Sequence, residues 1–218
     1  MLDILFRHHD FVAVNKPQGL CVQGGDGSDG LTSMLATQLN LPRVWLVHRL
    51  DKPTSGVLLL ALNEKAAFVL AQQFAAKTMR KTYIALSDRK PLKKQGWVKG
   101  GMEKARRGAW KLTRNMEKPA VTRFYSHSIS PNLRLFVLEP HTGKTHQLRV
   151  AMKSLGSPIW GDALYGGTPA ERLFLHASNL SFDYGGTHFD ITAPPDEAWL
   201  QAVPDWEEFV PQNCRLTI

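Results

Sequence analysis

Asp51 stands in the stretch Val47-His48-Arg49-Leu50-Asp51-Lys52-Pro53-Thr54-Ser55-Gly56, directly ahead of the apolar run Val57-Leu58-Leu59-Leu60-Ala61-Leu62. A run of branched residues bounded by proline and glycine reads as a buried strand, and residues 44–47 read likewise. The spacing places Asp51 in a tight connection between two strands that have almost no polar residues of their own. A carboxylate at the rim of an apolar core, flanked by Arg49 and Lys52, has either a structural job or a chemical one. It bonds its own backbone, as turn aspartates do, or it reacts. Desolvation pushes such a carboxyl toward its protonated form, so a chemically useful Asp51 predicts a fixed cation supplied from elsewhere.

The stretch His141-Thr142-Gly143-Lys144-Thr145-His146-Gln147-Leu148-Arg149 offers one. Its Gly-Lys-Thr imitates the end of a phosphate-binding loop, but the glycine required five positions before Gly143 is Leu138, and that reading fails. What remains is a helix start with a lysine before it and an arginine within it, suited to an anion, be it a phosphate or a protein carboxylate; an exposed basic turn fits the same residues. Neither His141 nor His146 has a matching ligand set nearby, so no metal is expected. Tyr83 lies in the alternating stretch Arg80-Lys81-Thr82-Tyr83-Ile84-Ala85-Leu86, sharing a strand face with Lys81 and Ala85. There it either edges a core or stacks on a base with its hydroxyl free to hydrogen-bond. The chain has no serine in a nucleophile elbow, no close pair of acids and no zinc motif.

The elements that must position these residues follow from periodicity. Strands are expected at 11–14, 120–125, 133–138, 173–177 and 188–192, with helices over 31–39, from Asn63 to about Lys77, and over 145–155 with Leu148, Met152 and Leu155 as the apolar face and Gly156 as the stop. Thr32 or Ser33 is the candidate cap of the first helix. The glycine-rich 24–30 reads as a mobile loop; it contains one copy of a calcium-repeat pattern that needs stacked copies to form its sites. Strands outnumber helices and come in neighbouring pairs, so the fold class is α+β with a largely antiparallel or mixed sheet flanked by helices. No linker or repeat divides the chain, and one domain over 1–218 is expected, with 194–218 as a peripheral segment anchored by Trp199 and Trp206.

Lysine and arginine number 27 against 19 acids, for a net charge of +8. Between Lys77 and Lys118 stand 14 basic residues and three acids, a local excess of +11, which leaves the remainder at −3. A positive segment on a near-neutral body suits a phosphate backbone, although a solvated loop carries the same composition. Cys21 and Cys214 lie far apart and in no ligand spacing, so neither a disulfide framework nor a metal site is indicated. No run approaches the roughly 20 apolar residues of a membrane span, and a cytoplasmic, monomeric protein is the expectation.

Taken together and in order, His48-Arg49-Leu50-Asp51 with Thr54-Ser55-Gly56, then Lys81-Thr82-Tyr83, then Gly143-Lys144-Thr145-His146-Gln147-Leu148-Arg149 resemble the motifs of the RluA-type pseudouridine synthases. Secondary matches lie in Asn15-Lys16-Pro17-x-Gly19-Leu20, in Lys118-Pro119-Ala120-Val121-Thr122, and in Gly156-x-Pro158-Ile159-x-Gly161-Asp162-x-x-Tyr165-Gly166. The resemblance runs from about residue 10 to about residue 192. It implies the pseudouridine synthase fold with a central catalytic cleft and no added amino-terminal RNA-binding domain. It further implies an isomerase acting on ribosomal or transfer RNA without metal or organic cofactor. Asp51 would be the catalytic aspartate, Tyr83 would stack on the uracil, and Lys144, where the family has arginine, would pair with Asp51. Leu148 would pack under the base, Arg49 would replace the displaced nucleotide with His48 beside it at the RNA, and Lys16 and Arg149 would meet phosphates. Lysine at 144 keeps the charge and loses the planar fork. Two other classes fit less: a non-catalytic RNA-binding protein on the same scaffold, and a glycosidase, which needs two carboxylates about the sugar and finds only Asp162 as a second motif acid.

Overall fold

The structure, a computed structural model, describes residues 1–24 and 29–210. The glycine-rich loop expected over 24–30 falls largely on residues 25–28, outside the described residues, as does Cys214. The chain forms two compact units. Among the described residues, one comprises Met1–Met79 and Ala177–Pro195, the other Arg80–His176 and 196–210.

In the first unit the strands β1 (Asp3–Arg7), β2 (Phe11–Lys16), β4 (Ser55–Ala61) and β10 (Leu175–Tyr184, here from Ala177 onward) lie in that order. The short β3 (Trp45–Leu46) pairs with β4, and β11 (Thr187–Thr192) pairs with β10. Every residue of β4 is buried, which is why its sequence is a continuous apolar run and not an alternation. Register sorts the faces: Phe11 lies opposite Ala61 and Ala13 opposite Leu59, while Val12 and Val14 lie opposite Leu60 and Leu58. The first set joins Val57, Leu180, Phe182, Phe189 and Ile191 in one core, which α2 (Glu64–Ala76) closes with Ala66 and Leu70. Asn63 caps α2 by accepting from the Ala66 N–H at 2.9 Å, and Lys77 ends it in the left-handed conformation, as the sequence indicates. The sequence spacing predicts Ala67, Leu70, Ala71, Phe74 and Ala75 as the apolar face, and the buried stripe is rotated from it. Ala71 and Ala75 are exposed and Ala66 is buried, because alanines mark neither side of a helix strongly.

α1 (Leu31–Gln38) starts from Gly30 without a side-chain cap; Thr32 and Ser33 lie within its first turn, not before it. In the second unit β5 (Arg80–Ser87), β9 (Leu133–Pro140), β8 (Ala120–Ser130), β6 (Gln95–Lys104) and β7 (Trp110–Thr113) follow one another, all antiparallel. The basic segment is thus a hairpin, β6–β7, tipped by a 3₁₀ turn at Arg106–Gly108. α3 (Gln147–Ser154) packs on β7, β8 and β9, two residues shorter at its start than expected. Residues 194–210 hold the short α4 (Glu197–Ala202), with Trp199 and Trp206 buried as anchors. No helix among the described residues is long and apolar enough to cross a membrane.

Candidate active site

In the first unit Asp51 occupies the connection between β3 and β4, and its carbonyl accepts from the Thr54 N–H at 3.0 Å, closing a turn over residues 51–54. Lys16, at the end of β2, is fully buried, and its ammonium donates to the carbonyls of Pro17 (3.0 Å), Lys52 (3.0 Å) and Thr54 (2.8 Å). The Lys52 carbonyl also accepts from the Gly19 N–H at 2.9 Å. A buried ammonium is tolerated only where acceptors replace its water, and here backbone oxygens of the aspartate turn do so. The stretch Asn15-Lys16-Pro17-x-Gly19 is thereby a clasp on the Asp51 turn, and the Lys16 charge faces inward.

Two further features fix that turn. Gly56 has φ +114°, and a β-carbon there would lie 2.2 Å from the Ala177 carbonyl oxygen, so no other residue fits beside the neighbouring strand. His48 accepts from the Leu59 N–H at 2.9 Å and stacks on Phe74 with ring centroids 4.3 Å apart. It ties the connection to β4 and α2. Arg49 is exposed, Leu50 buried and Asp51 half-buried, so the turn presents its charges at the rim of the apolar core.

In the second unit Tyr83 is half-buried on β5, in register with Leu138 of β9, which in turn pairs with Phe124 of β8. Lys81, one alternation away on the same face, reaches the Thr142 carbonyl at 3.4 Å, and burial pushes its ammonium below the ordinary lysine range. The loop 141–146 that Lys81 touches is held by Gln147. Its side-chain oxygen accepts from the Thr142 hydroxyl (2.7 Å) and the Lys144 N–H (3.0 Å), and its amide donates to the Val121 carbonyl (3.1 Å) and the Thr122 hydroxyl (3.0 Å). Thr142 also accepts from the Val121 N–H at 2.9 Å. Lys144 itself is exposed on this loop, and Leu148 is buried in the first turn of α3. His146 has φ +55°, a left-handed conformation rare for a residue with a β-carbon, at the joint between loop and helix.

Arg149 is buried as Lys16 is. Its guanidinium makes a two-pronged bridge to Asp162, at 2.8 and 2.7 Å, with side-chain exposures of 9% and 0%, and lies 4.9 Å from the Tyr165 ring centroid. Tyr165 accepts from the Trp110 N–H at 2.9 Å and shares a 2.8 Å hydrogen bond with His146 Nδ1. The residues that the sequence reading passed over as organisers are therefore Gln147, Asp162 and Tyr165. Asp162 and Tyr165 are polar groups flanked by apolar or glycine positions, Gln147 follows a histidine, and a buried polar side chain announces itself only through partners distant in sequence.

Among the described residues, His8, His9 and Asp10 alone bring three potential metal ligands together. The Asp10 oxygens already accept from Asn63 (2.7 Å) and Tyr184 (2.9 Å), and His8 Nδ1 from the Asp10 N–H (3.2 Å), so the set does not fit an ion.

The family model for RNA pseudouridylate synthase matches residues 10–154. An "Uncharacterized RNA pseudouridine synthase" of Haemophilus influenzae is 52% identical over 204 residues, covering 92% of this chain and 91% of its own. A "tRNA pseudouridine synthase C" of Haemophilus ducreyi is 34% identical, with 91% and 93% covered. A "Ribosomal large subunit pseudouridine synthase C" of Rickettsia bellii is 39% identical over 81% of this chain, which spans 62% of that protein. Among solved structures, human RNA Pseudouridylate Synthase Domain Containing 1 superposes with a TM-score of 0.74 at 26% identity, covering 89% of this chain and 84% of its own. Human RNA Pseudouridylate Synthase Domain Containing 4 gives 0.78 at 24% identity, a likeness of fold, with 93% and 92% covered.

Proposed function

The chain belongs to the RluA-type family of RNA pseudouridylate synthases, and on that premise we propose that it converts a uridine of ribosomal or transfer RNA to pseudouridine with Asp51 as the catalytic carboxylate. The reaction breaks the N1–C1′ bond of uridine, turns the base and joins C5 to C1′. It involves no net oxidation and needs no metal or organic cofactor. An anion supports or traps the electron-poor centre while the glycosidic bond is open, which is the work carboxylates do at sugars elsewhere. Tyr83 stacks on the uracil, Lys144 supplies the cation that keeps a carboxylate ionised in an apolar setting, and Leu148 packs under the base. Arg49, exposed beside the turn, takes the place of the extruded nucleotide in its stack. Unstacking costs a few kcal/mol, and that insertion together with phosphate contacts offsets it.

The observation that carries this reading is the clasp. A half-buried aspartate on a turn whose backbone is held by a fully buried lysine is a carboxylate carried on a fixed backbone, and a fixed support is what a reacting group needs and a turn aspartate does not. The protein acts as a cytoplasmic monomer on this reading. Mapping pseudouridines in ribosomal and transfer RNA from cells with and without the gene tests it. One or a few positions are expected to revert to uridine, and the wild-type gene but not its Asp51→Asn form is expected to restore them. An unchanged map would leave the scaffold a non-catalytic RNA-binding protein.

A further inference from the structure

Trp97 is 48% exposed on β6. It lies in register with Arg123, which lies in register with Glu139, whereas Tyr83, Leu138 and Phe124 form the adjacent row. Adjacent rows point to opposite sides of a sheet, so Trp97 and Tyr83 occupy opposite faces. Around the indole stand Lys99, its Nζ 5.2 Å from the ring centroid, and Arg123, its Cζ 5.6 Å from that ring and 4.9 Å from the ring of Tyr125. The His141 ring centroid is 5.0 Å from that of Trp97.

An isolated exposed tryptophan is ordinary, and an exposed cation over an aromatic ring is worth only about 0.5–1 kcal/mol. The setting here asks for more. Glu139 is the one acid in this row, and among the described residues neither Lys99 nor Arg123 takes part in an ion pair. Two uncompensated cations beside two aromatic rings make an apolar stacking surface ringed by positive charge, the composition that holds an unpaired nucleotide by its base and its phosphates. The residues 95–100 of β6 pair with β8 on one side while β7 pairs only from Gly101 on, so this surface is not roofed by the hairpin. It is also continuous with the loop that carries Lys144: His141 opens that loop, and its N–H donates to the Val121 carbonyl at 2.9 Å.

Resting on the reading that the substrate is RNA, we propose that Trp97, with Lys99, Arg123 and His141, forms a second RNA-contacting platform. On it an unpaired base several nucleotides along the strand from the target uridine, far enough for the backbone to pass round the sheet edge, stacks on the indole while Lys99 and Arg123 hold the adjoining phosphates. The platform gives the enzyme a preference for targets with a single-stranded segment nearby, apart from anything the uridine pocket selects.

The test uses the full chain with a fluorescein-labelled oligouridine of about ten nucleotides and, separately, an RNA duplex of similar charge, with binding read by anisotropy. Trp97→Ala is expected to weaken oligouridine binding by about 5- to 150-fold, the worth of one stacked base, and to move duplex binding by less than about threefold. Trp97→Phe, which keeps a ring, is expected to stay within about threefold of wild type for both RNAs and guards against misfolding. Oligouridine affinity unchanged in Trp97→Ala overturns the platform and leaves this strand edge to a protein partner; an equal loss for both RNAs overturns it as well. The readout is binding and not turnover, so an inactive or active Asp51→Asn enzyme decides the catalytic reading without deciding this one.

Discussion

Lys16 and Arg149 carry charges that face inward, and their substitution separates a structural cation from an RNA-binding one. Lys16→Met leaves the carbonyls of Pro17, Lys52 and Thr54 short of a donor, each such loss costing about 1–3 kcal/mol where no water replaces it. A lower melting temperature and a sharply reduced turnover number are expected, with the slope of RNA affinity against salt unchanged; a flattened slope would return Lys16 to the phosphate backbone. Arg149→Leu strands the buried Asp162 carboxylate, and breaking such a pair from one side costs about 3–5 kcal/mol. The double change Arg149→Leu with Asp162→Leu is expected to recover most of that in chemical denaturation. A double variant no more stable than the single one would show that the pair's charges are needed for folding. In the sequence Lys16, His48 and Arg149 stand beside reactive positions and look like RNA contacts. That Lys16 and Arg149 are buried depends on partners such as the Thr54 carbonyl and Asp162 that no local pattern reveals.

At the scale of elements, the strands around Asp51 were legible because β4 is apolar from Val57 on and lies between Pro53 and Asn63, and α2 because Asn63 is a strong cap. The loop 141–146 was legible as a helix entrance but not as a structure in its own right, since what shapes it is Gln147 reaching back to β8. The face of α2 was misjudged for want of bulky residues, and β3 is shorter than its apolar stretch suggests because Val47 already turns toward the Asp51 connection. Lys81 tests the link between β5 and this loop. Burial lowers its pKa, so the folded state carries a penalty for its charge at neutral pH, and that penalty fades as pH rises through the folded-state value toward the ordinary lysine one. Lys81→Met is expected to raise the melting temperature at neutral pH by more than at alkaline pH while lowering activity. A variant destabilised at every pH would instead make the contact to the Thr142 carbonyl the dominant effect.

For the whole molecule, the uneven charge is the feature with a measurable consequence. The β6–β7 hairpin carries Lys99, Lys104, Arg106, Arg107 and Lys111 and remains largely exposed. If these meet phosphates, each one neutralised is expected to reduce the slope of log affinity against log salt by about 0.7–0.9, a value read from titrations at several salt concentrations. The division into two compact units is marked by no linker, but its boundary after Met79 falls where the basic segment begins.

The most direct measurement is single-turnover pseudouridine formation by purified wild-type and Asp51→Asn protein on RNA from cells lacking the gene, with RNA affinity measured in parallel. A fall in rate of about four orders of magnitude or more, with affinity changed by less than about threefold, is expected, since one carboxylate contributes little to a phosphate-dominated interface. Isomerisation by Asp51→Asn at a rate near that of the wild type would contradict the assignment of Asp51 as the catalytic group.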